Sequence, residues 1–244
     1  MRRAAVYSAH GQVTQVLQLK PDPLPLHPPK PQQVALRMLA SPINPADLNQ
    51  VEGVYARLAR LPAVGGNEGV AQVIESSSDM FREGEWVIPA FPGAFGTWRQ
   101  SLVVDASQVI AIRQDIPVEE AACISVNPCT AFRMIQDFAV PAREQTGSDV
   151  IVQNAANSGV GIAVIQLAKI LGFKTFNVIR DREDFDAVAA QLEELGADFV
   201  VSESQLTDRQ STLDSIKFLE KNPPAIALNA VGGNSASNLF RLLR

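Results

Sequence analysis

The segment DVIVQNAANSGVGIAVIQLAKILGF, residues 149–173, joins an apolar strand to an apolar helix through a turn of small residues. The apolar run 150–152 enters this turn, and the helical pattern ends at Gly172. A dinucleotide pyrophosphate needs this order of elements, because small residues let the backbone approach the phosphates and a helix N-terminus offers free N–H groups. The spacing departs from the GxGxxG fingerprint, with Asn154 and Asn157 near the positions of its earlier glycines. We interpret the segment as the first strand, turn and helix of a nucleotide-binding domain.

Strand and helix patterns continue to alternate after this segment. Lys174–Ile179 predicts a second strand, followed by the charged cluster 180–184 and a helix that runs to about Leu195. A third and a fourth strand are predicted at 198–201 and 225–231. Alternation at this spacing implies right-handed crossovers and a parallel, doubly wound sheet.

The first part of the chain has a different pattern. From residue 4 to about residue 112, short apolar runs are separated by proline and glycine, which is typical of a compact β-rich domain of antiparallel strands. A helical segment begins between Asp115 and Glu120, and we place the domain boundary there. The sequence therefore predicts an α/β protein with a β-rich domain over 1–118 and a nucleotide-binding domain over 119–244.

Composition excludes several classes of function. The 244 residues can form two domains with their own cores, and 46% hydrophobic content with a net charge of −5 describes a mildly acidic globular protein. There is no basic patch for nucleic acid and no apolar run long enough to span a membrane. Cys123 and Cys129 are too few for a disulfide framework or a zinc site, which favours a reducing compartment. Because the first strand begins close to Met1, we expect no signal or transit peptide within this chain.

Seven dispersed segments carry a resemblance to one family. They are SPINPADLN (41–49), LPAVGGNEGVAQV (61–73), GTWR (96–99), VNPCTAFRM (126–134), QNAANSGVG (153–161), NVIRDR (177–182) and ALNAVGG (227–233). Together with the domain order, they resemble the mitochondrial 2-enoyl thioester reductases, which reduce trans-2-enoyl-CoA or enoyl-acyl carrier protein. That family lies in the zinc-free, quinone oxidoreductase-like branch of the medium-chain dehydrogenases and reductases. The resemblance implies a GroES-like first domain, a Rossmann second domain and NADPH as cofactor.

Two positions distinguish the chain from the zinc alcohol dehydrogenases of the same superfamily. Where the first metal cysteine of those enzymes would fall, this chain has Asn44, and in place of the histidine of their GHE motif it has Asn67. Neutral amides are poor zinc ligands. The comparison therefore implies chemistry without a metal.

Without a metal, an acid has to protonate the substrate after a nicotinamide hydride adds to the β-carbon of the unsaturated thioester. The resemblance places Tyr55 at the position of the family's catalytic tyrosine, and a phenol is protonated at neutral pH. The alternative is a loop tyrosine packed against Leu58 or Leu61.

The cofactor-binding residues are expected in three segments. An arginine after the second strand suits the 2′-phosphate of NADPH, whereas an acidic residue there suits the ribose hydroxyl of NAD. Two arginines favour NADPH, although a surface ion network with Glu183 and Asp184 is an alternative use for them. Asn127 begins a helix, so it is also suited to cap that helix. The expected set is Asn127, Asn157, Ser158, Gly159, Val160, Arg180, Asp181 and Arg182.

Two further side chains have ambiguous roles. Cys129 is expected to be a small buried residue rather than a nucleophile, since no histidine is near it in sequence. Trp98 either lines an acyl pocket or packs in the core.

Three functions stay open. They are NADPH-dependent reduction of 2-enoyl thioesters in mitochondrial fatty acid synthesis, a quinone oxidoreductase-like activity, and an inactive truncated isoform that acts as a binding protein. The inactive isoform is considered because the chain ends at Arg244, whereas members of the family continue beyond the fourth strand. We therefore expect a Rossmann domain that lacks its last strands. The resemblance also implies an enoyl-CoA or enoyl-acyl carrier protein partner and homodimeric full-length members. It places the family in mitochondria, while the missing targeting segment leaves a cytoplasmic form open.

Overall fold

The computed structural model describes residues 2–23, 27–207 and 212–243, with backbone alone for 212–216. Arg244, the last residue of the predicted second domain, lies outside the described residues. The chain divides into two compact units, Met1–Val126 and Asn127–Arg244. No helix within the described ranges has both the length and the apolar character needed to cross a membrane.

The first unit contains two antiparallel sheets, which confirms the predicted β-rich domain. Five strands follow one another in the order β7-β3-β5-β6-β8 and three in the order β2-β1-β4. The strands are β1 (Arg3–Tyr7), β2 (Gln18–Pro21), β3 (Gln33–Ala40), β4 (Ala63–Val64), β5 (Val70–Ser76), β6 (Trp86–Pro89), β7 (Ser101–Asp105) and β8 (Val109–Ile112). The helices are α1 (Val13–Val16), α2 (Pro45–Glu52) and α3 (Val118–Cys123).

The core of this unit lies on one face of the larger sheet. Val34 and Leu36, two residues apart on β3, are fully buried because alternate side chains of a strand point to the same face. Leu36 pairs with Val73 on β5 and with Leu102 on β7, so three neighbouring strands contribute to one apolar cluster.

The first unit extends past the predicted domain boundary at residue 118. Helix α3 buries Ala121 and Ala122 against Val70 of β5, and the unit ends at Val126. The apolar face of this helix is filled by strands of the first unit, whereas the sequence pattern had assigned the helix to the second domain.

The second unit is a four-stranded parallel sheet with helices, in the order β11-β10-β9-β12, which confirms the doubly wound fold. Its strands are β9 (Val150–Gln153), β10 (Lys174–Ile179), β11 (Phe199–Ser202) and β12 (Pro224–Leu228). Its helices are α4 (Asn127–Met134), α5 (Val140–Thr146), α6 (Gly159–Ile170), α7 (Phe185–Leu195), α8 (Glu203–Thr207), α9 (Thr212–Lys221) and α10 (Gly233–Phe240). A π-helical segment, Ile135–Ala139, joins α4 to α5.

Strand β12 ends earlier than the sequence pattern predicts. The apolar pattern continues to Val231, but the strand stops at Leu228. The Oδ1 of Asn229 accepts hydrogen bonds from the N–H groups of Val231 and Gly232 at 3.2 and 3.0 Å, so the chain turns at Asn229.

A stack of phenylalanines fills one side of this sheet. Phe176 of β10 is fully buried, and its ring lies 5.2 Å from that of Phe199 and 6.0 Å from that of Phe218. The neighbouring strand β9 is also buried on both faces, as a central parallel strand should be.

Replacing Phe176 with alanine should lower the unfolding free energy of the second unit by about 3–5 kcal/mol, because the substitution removes a ring from a close-packed core. Ile170→Ala is the control, since Ile170 is 77% exposed and its loss should change the unfolding free energy by less than about 0.5 kcal/mol. Urea unfolding followed by far-ultraviolet circular dichroism measures both. Similar small losses for the two variants would contradict the described packing.

Candidate functional site

A turn of small residues leads from β9 into α6. Ser158 caps the helix, and its Oγ accepts a hydrogen bond from the N–H of Gly161 at 3.1 Å. Gly161 has to be glycine here, since a Cβ would lie 2.5 Å from the carbonyl oxygen of Ala156. Within the described part of the chain, the N–H groups of Gly159 and Val160 have no hydrogen-bond acceptor. These two donors lie at the positive end of the helix dipole, where a negative charge is stabilised.

Asn127 lies beside this turn. A Cβ on Gly159 would be 2.8 Å from the Asn127 Nδ2, so the absence of a side chain at Gly159 is what allows the contact. Asn157, one residue before the helix cap, is half-buried in the same turn. The structure thus brings together the predicted residues of α4 and of the turn.

Two consecutive buried amides at the end of β9 point to opposite sides. The Nε2 of Gln153 donates to the carbonyl oxygen of Gly161 at 3.1 Å, below the helix start. The Oδ1 of Asn154 accepts from the N–H of Ala230 at 2.7 Å, and its Nδ2 donates to Asn229 Oδ1 at 2.8 Å. From sequence, Asn154 was only a departure from a glycine pattern, and this role was not predicted. The available signal was a pair of amides that directly follows a buried strand.

The two arginines after β10 differ in their surroundings. Arg180 is exposed, and its guanidinium makes no hydrogen bond or ion pair with the described residues. Arg182 instead forms a bidentate pair with Asp184, with Nε–Oδ1 at 2.5 Å and NH2–Oδ2 at 2.9 Å. The surface ion pair considered from sequence is therefore present at Arg182, and Arg180 is the arginine open to a ligand.

Asp181, between these arginines, is bound to the end of β11. Its carboxylate accepts hydrogen bonds from the Ser202 hydroxyl at 2.6 Å and the Ser204 hydroxyl at 2.5 Å. These bonds, that of Ser202 first, hold the pKa of the Asp181 carboxyl below its ordinary value. The Asp181 carboxylate is therefore bound to residues at the end of β11.

In the first unit, Tyr55 follows the end of α2. Gly53 closes that helix in the left-handed conformation, with φ of 82°. Tyr55 is 43% exposed, and its hydroxyl has no partner among the described residues. Leu61 packs instead with the cluster around the buried Tyr7, and Leu58 is 46% exposed. The phenol is thus accessible to a ligand.

The side-chain amides of Asn44 and Asn67 are bound to buried carboxylates. Asn44 Nδ2 donates to Glu68 Oε1 at 2.7 Å, and Asn67 Nδ2 donates to Asp47 Oδ1 at 2.6 Å. Each carboxylate is 1% exposed. Burial raises the pKa of the Asp47 carboxyl above its ordinary value, and hydrogen bonds from Asn44 and Asn67 oppose that shift. Because Asp47 lies in the first turn of α2, the network fixes the helix that leads to Tyr55.

The indole of Trp98 packs on backbone. Its Nε1 donates to the carbonyl oxygen of Pro42 at 3.0 Å, and a Cβ on Gly65 or Gly66 would lie 2.3 or 2.6 Å from its ring. These contacts agree with the packing role considered for Trp98, and not with an acyl pocket.

Cys123 and Cys129 are both exposed, so the expectation that Cys129 is buried was wrong. Helix α4 buries Ala131, and a residue two positions earlier lies on the opposite side of a helix. Across the described ranges, no three histidine, cysteine, aspartate or glutamate side chains are grouped so that they could hold a metal ion.

Comparison with known sequences gives two results. Residues 30–114 match the family described as the alcohol dehydrogenase GroES-like domain. The mitochondrial enoyl-acyl-carrier-protein reductase of Rattus norvegicus is 47% identical over 243 residues, which cover 99% of this chain and 62% of that protein. The chain therefore spans less than two thirds of the length of this relative.

Comparison with solved structures finds similar proteins of known structure. The complex of the enoyl thioester reductase Etr1p with NADP and crotonyl-CoA has a TM-score of 0.85 at 31% identity, covering 100% of this chain and 72% of that chain. A protein named as an NADPH:quinone reductase, from Bacillus thuringiensis, has a TM-score of 0.80 at 28% identity, covering 100% and 70% of the two chains.

Replacing Asp47 with asparagine should remove a pH dependence from the stability. Burial raises the folded-state pKa of Asp47 above its unfolded value, so the folded state holds this proton more tightly. The contribution of the carboxyl to stability is then full below the unfolded pKa and is lost as the pH rises through the folded pKa. The unfolding free energy of the wild type, relative to Asp47→Asn, should fall as the pH is raised from the ordinary value of 3.8.

Urea unfolding at a series of pH values measures this difference. The control is Asp79→Asn, which changes an exposed aspartate and should stay within about 0.5 kcal/mol of the wild type at every pH. Parallel curves for the wild type and Asp47→Asn would contradict the assignment.

Proposed function

We propose, from the premise that this chain belongs to the family of mitochondrial enoyl-acyl-carrier-protein reductases, that its protein reduces trans-2-enoyl thioesters to saturated acyl thioesters with NADPH. The observation that carries the proposal is Tyr55, an exposed phenol without a partner among the described residues, after a helix fixed by buried hydrogen bonds. The rat relative named as such a reductase is 47% identical over nearly the whole chain.

The residues of the second unit fit an NADPH molecule. The N–H groups of Gly159 and Val160, which have no acceptor among the described residues, would bind the pyrophosphate, with Asn127 beside them. Arg180 would bind the 2′-phosphate, because its guanidinium is exposed and unpaired among the described residues. The Asp181 carboxylate is held at the end of β11 by the serine hydroxyls that bind it, so its position is fixed by contacts other than the phosphate.

Tyr55 would complete the reduction as the proton donor. When bound, NADPH would supply the hydride that adds to the β-carbon of the substrate. The phenolic O–H bond would break and its proton would pass to the α-carbon. The π bond of the substrate is then replaced by two C–H bonds, its C–C single bond remains, and Tyr55 is left as a phenolate. Water would return the proton, since the side chain is 43% exposed.

The substrate and setting follow from the family. The relative from rat is named for an acyl-carrier-protein substrate, and the Etr1p complex contains crotonyl-CoA, so we propose that both enoyl carriers are accepted. We also propose a mitochondrial location, a role in fatty acid synthesis and a homodimeric full-length protein. A quinone reductase activity is the second candidate, supported by the likeness to the Bacillus thuringiensis protein.

Tyr55→Phe should lower the rate of NADPH oxidation with crotonyl-CoA by about 10²–10⁴-fold, the usual contribution of a positioned acid, while NADPH still binds. Tyr7→Phe is the matched control, because it removes a hydroxyl from the only other tyrosine of the chain, which is buried. Stopped-flow absorbance of NADPH measures both rates. Wild-type turnover by Tyr55→Phe, or faster NADPH oxidation by the wild type with a quinone than with crotonyl-CoA, would contradict the proposal.

Arg180→Gln should weaken NADPH binding about 10- to 100-fold and leave NADH binding unchanged, since it removes a charge-assisted contact to the 2′-phosphate. Arg182→Gln should change NADPH affinity less than about threefold, because Asp184 already occupies that guanidinium. Fluorescence titration with both nucleotides measures the four affinities. A larger loss from Arg182→Gln would reverse the assignment.

A further inference from the structure

Asn154 is a buried side chain that the proposed function does not use. It is 2% exposed, directly after β9, and all three of its side-chain partners lie in 229–235. Its Oδ1 accepts from Ala230 N at 2.7 Å, and its Nδ2 donates to Asn229 Oδ1 at 2.8 Å and Ser235 Oγ at 3.0 Å. One amide therefore joins the turn after β9 to the loop after β12.

The loop that Asn154 binds has little else to fix its shape. Asn229 Oδ1 also accepts from the N–H groups of Val231 and Gly232, so three consecutive backbone donors, 230–232, are held by two amide oxygens. Gly232 and Gly233 have φ of 87° and 54°, and a Cβ on either would meet no atom of the described residues within 4 Å. Glycines in open space leave a loop free to change conformation unless side chains hold it.

A second contact extends this arrangement to β11. The hydroxyl of Ser235, which accepts from Asn154, donates to Glu203 Oε1 at 2.7 Å. Glu203 begins α8 directly after β11. Asn154 is thus at the centre of a hydrogen-bonded chain along the carboxyl ends of the strands.

The order of the strands indicates which half of a dinucleotide would lie on each side of β9. Strands β10 and β12 flank β9, and strand order changes direction there. A dinucleotide binds across such a point, outside the carboxyl ends of the strands. Arg180 follows β10, so the half with the 2′-phosphate belongs on that side and the nicotinamide half belongs on the side of β12.

We infer that Asn154 is a positioning residue that fixes the 229–232 loop for the nicotinamide half of the cofactor. This inference rests on the proposed function, because it needs NADPH to bind across β9. Asn154 would act on the cofactor through this loop, because the hydrogen-bonding groups of its side chain are already bound to residues 229–235. Loss of its donors should therefore affect one half of the dinucleotide and spare the other.

Asn154→Asp tests this with two ligands, NADPH and 2′,5′-ADP, which contains the 2′-phosphate half alone. An aspartate keeps the acceptor for Ala230 but, when ionised, cannot donate to Asn229 or Ser235. We expect NADPH affinity to fall about tenfold, the size of one or two lost hydrogen bonds, and 2′,5′-ADP affinity to stay within about twofold. Arg180→Gln is the matched control, because it should weaken both ligands.

The outcomes separate this inference from the proposed function. Equal losses for both ligands, or wild-type affinity for NADPH in folded Asn154→Asp, would overturn the inference alone. A wild-type chain that binds neither ligand would overturn the proposed function, before any substitution is made. If Asn154→Asp does not fold, Ser235→Ala removes one of the acceptors and leaves the amide in place. This variant should lower the affinity for NADPH alone, by about threefold. Equal effects on the affinities for the two ligands would again overturn the inference.

Discussion

The carboxyl edge of the parallel sheet depends on two amides that leave the end of β9 in opposite directions. A buried amide without partners costs about 1–3 kcal/mol per unmade hydrogen bond, so Gln153 and Asn154 restrict their neighbours to positions that satisfy them. Gln153 fixes the start of α6 and Asn154 fixes the loop after β12. Because strand side chains alternate, two adjacent residues are enough to hold both sides of the turn.

The first unit uses the same chemistry in a different place. Asn44 and Asn67 donate to Glu68 and Asp47, two carboxylates that would be costly to bury without donors. The first unit therefore has amide–carboxylate pairs that hold α2. In each unit, buried side-chain hydrogen bonds hold one element in place: helix α2 in the first unit and the start of α6 in the second.

The strands of the second unit could be predicted from sequence because each one is a short apolar run, which neighbouring residues alone are enough to recognise. The strand Lys174–Ile179 has the predicted bounds, and the third strand is displaced by one residue, to Phe199–Ser202. The sequence could not predict that Arg182 is paired while Arg180 has no partner among the described residues, since this depends on side-chain geometry after the strand. The role of Asn154 was also beyond local patterns, because its partners lie 75 or more residues away in the chain.

The division of the chain into two units separates its chromophores. The second unit contains neither tyrosine nor tryptophan, and phenylalanine is its only aromatic side chain. The tyrosines and tryptophans of the chain are Tyr7, Tyr55, Trp86 and Trp98, all in the first unit. Tyrosine and tryptophan emission therefore reports on the β-rich unit alone, whereas the parallel-sheet unit contributes to the circular dichroism without contributing to that emission. The order in which the two units lose structure can be read from one unlabelled sample by comparing emission with circular dichroism.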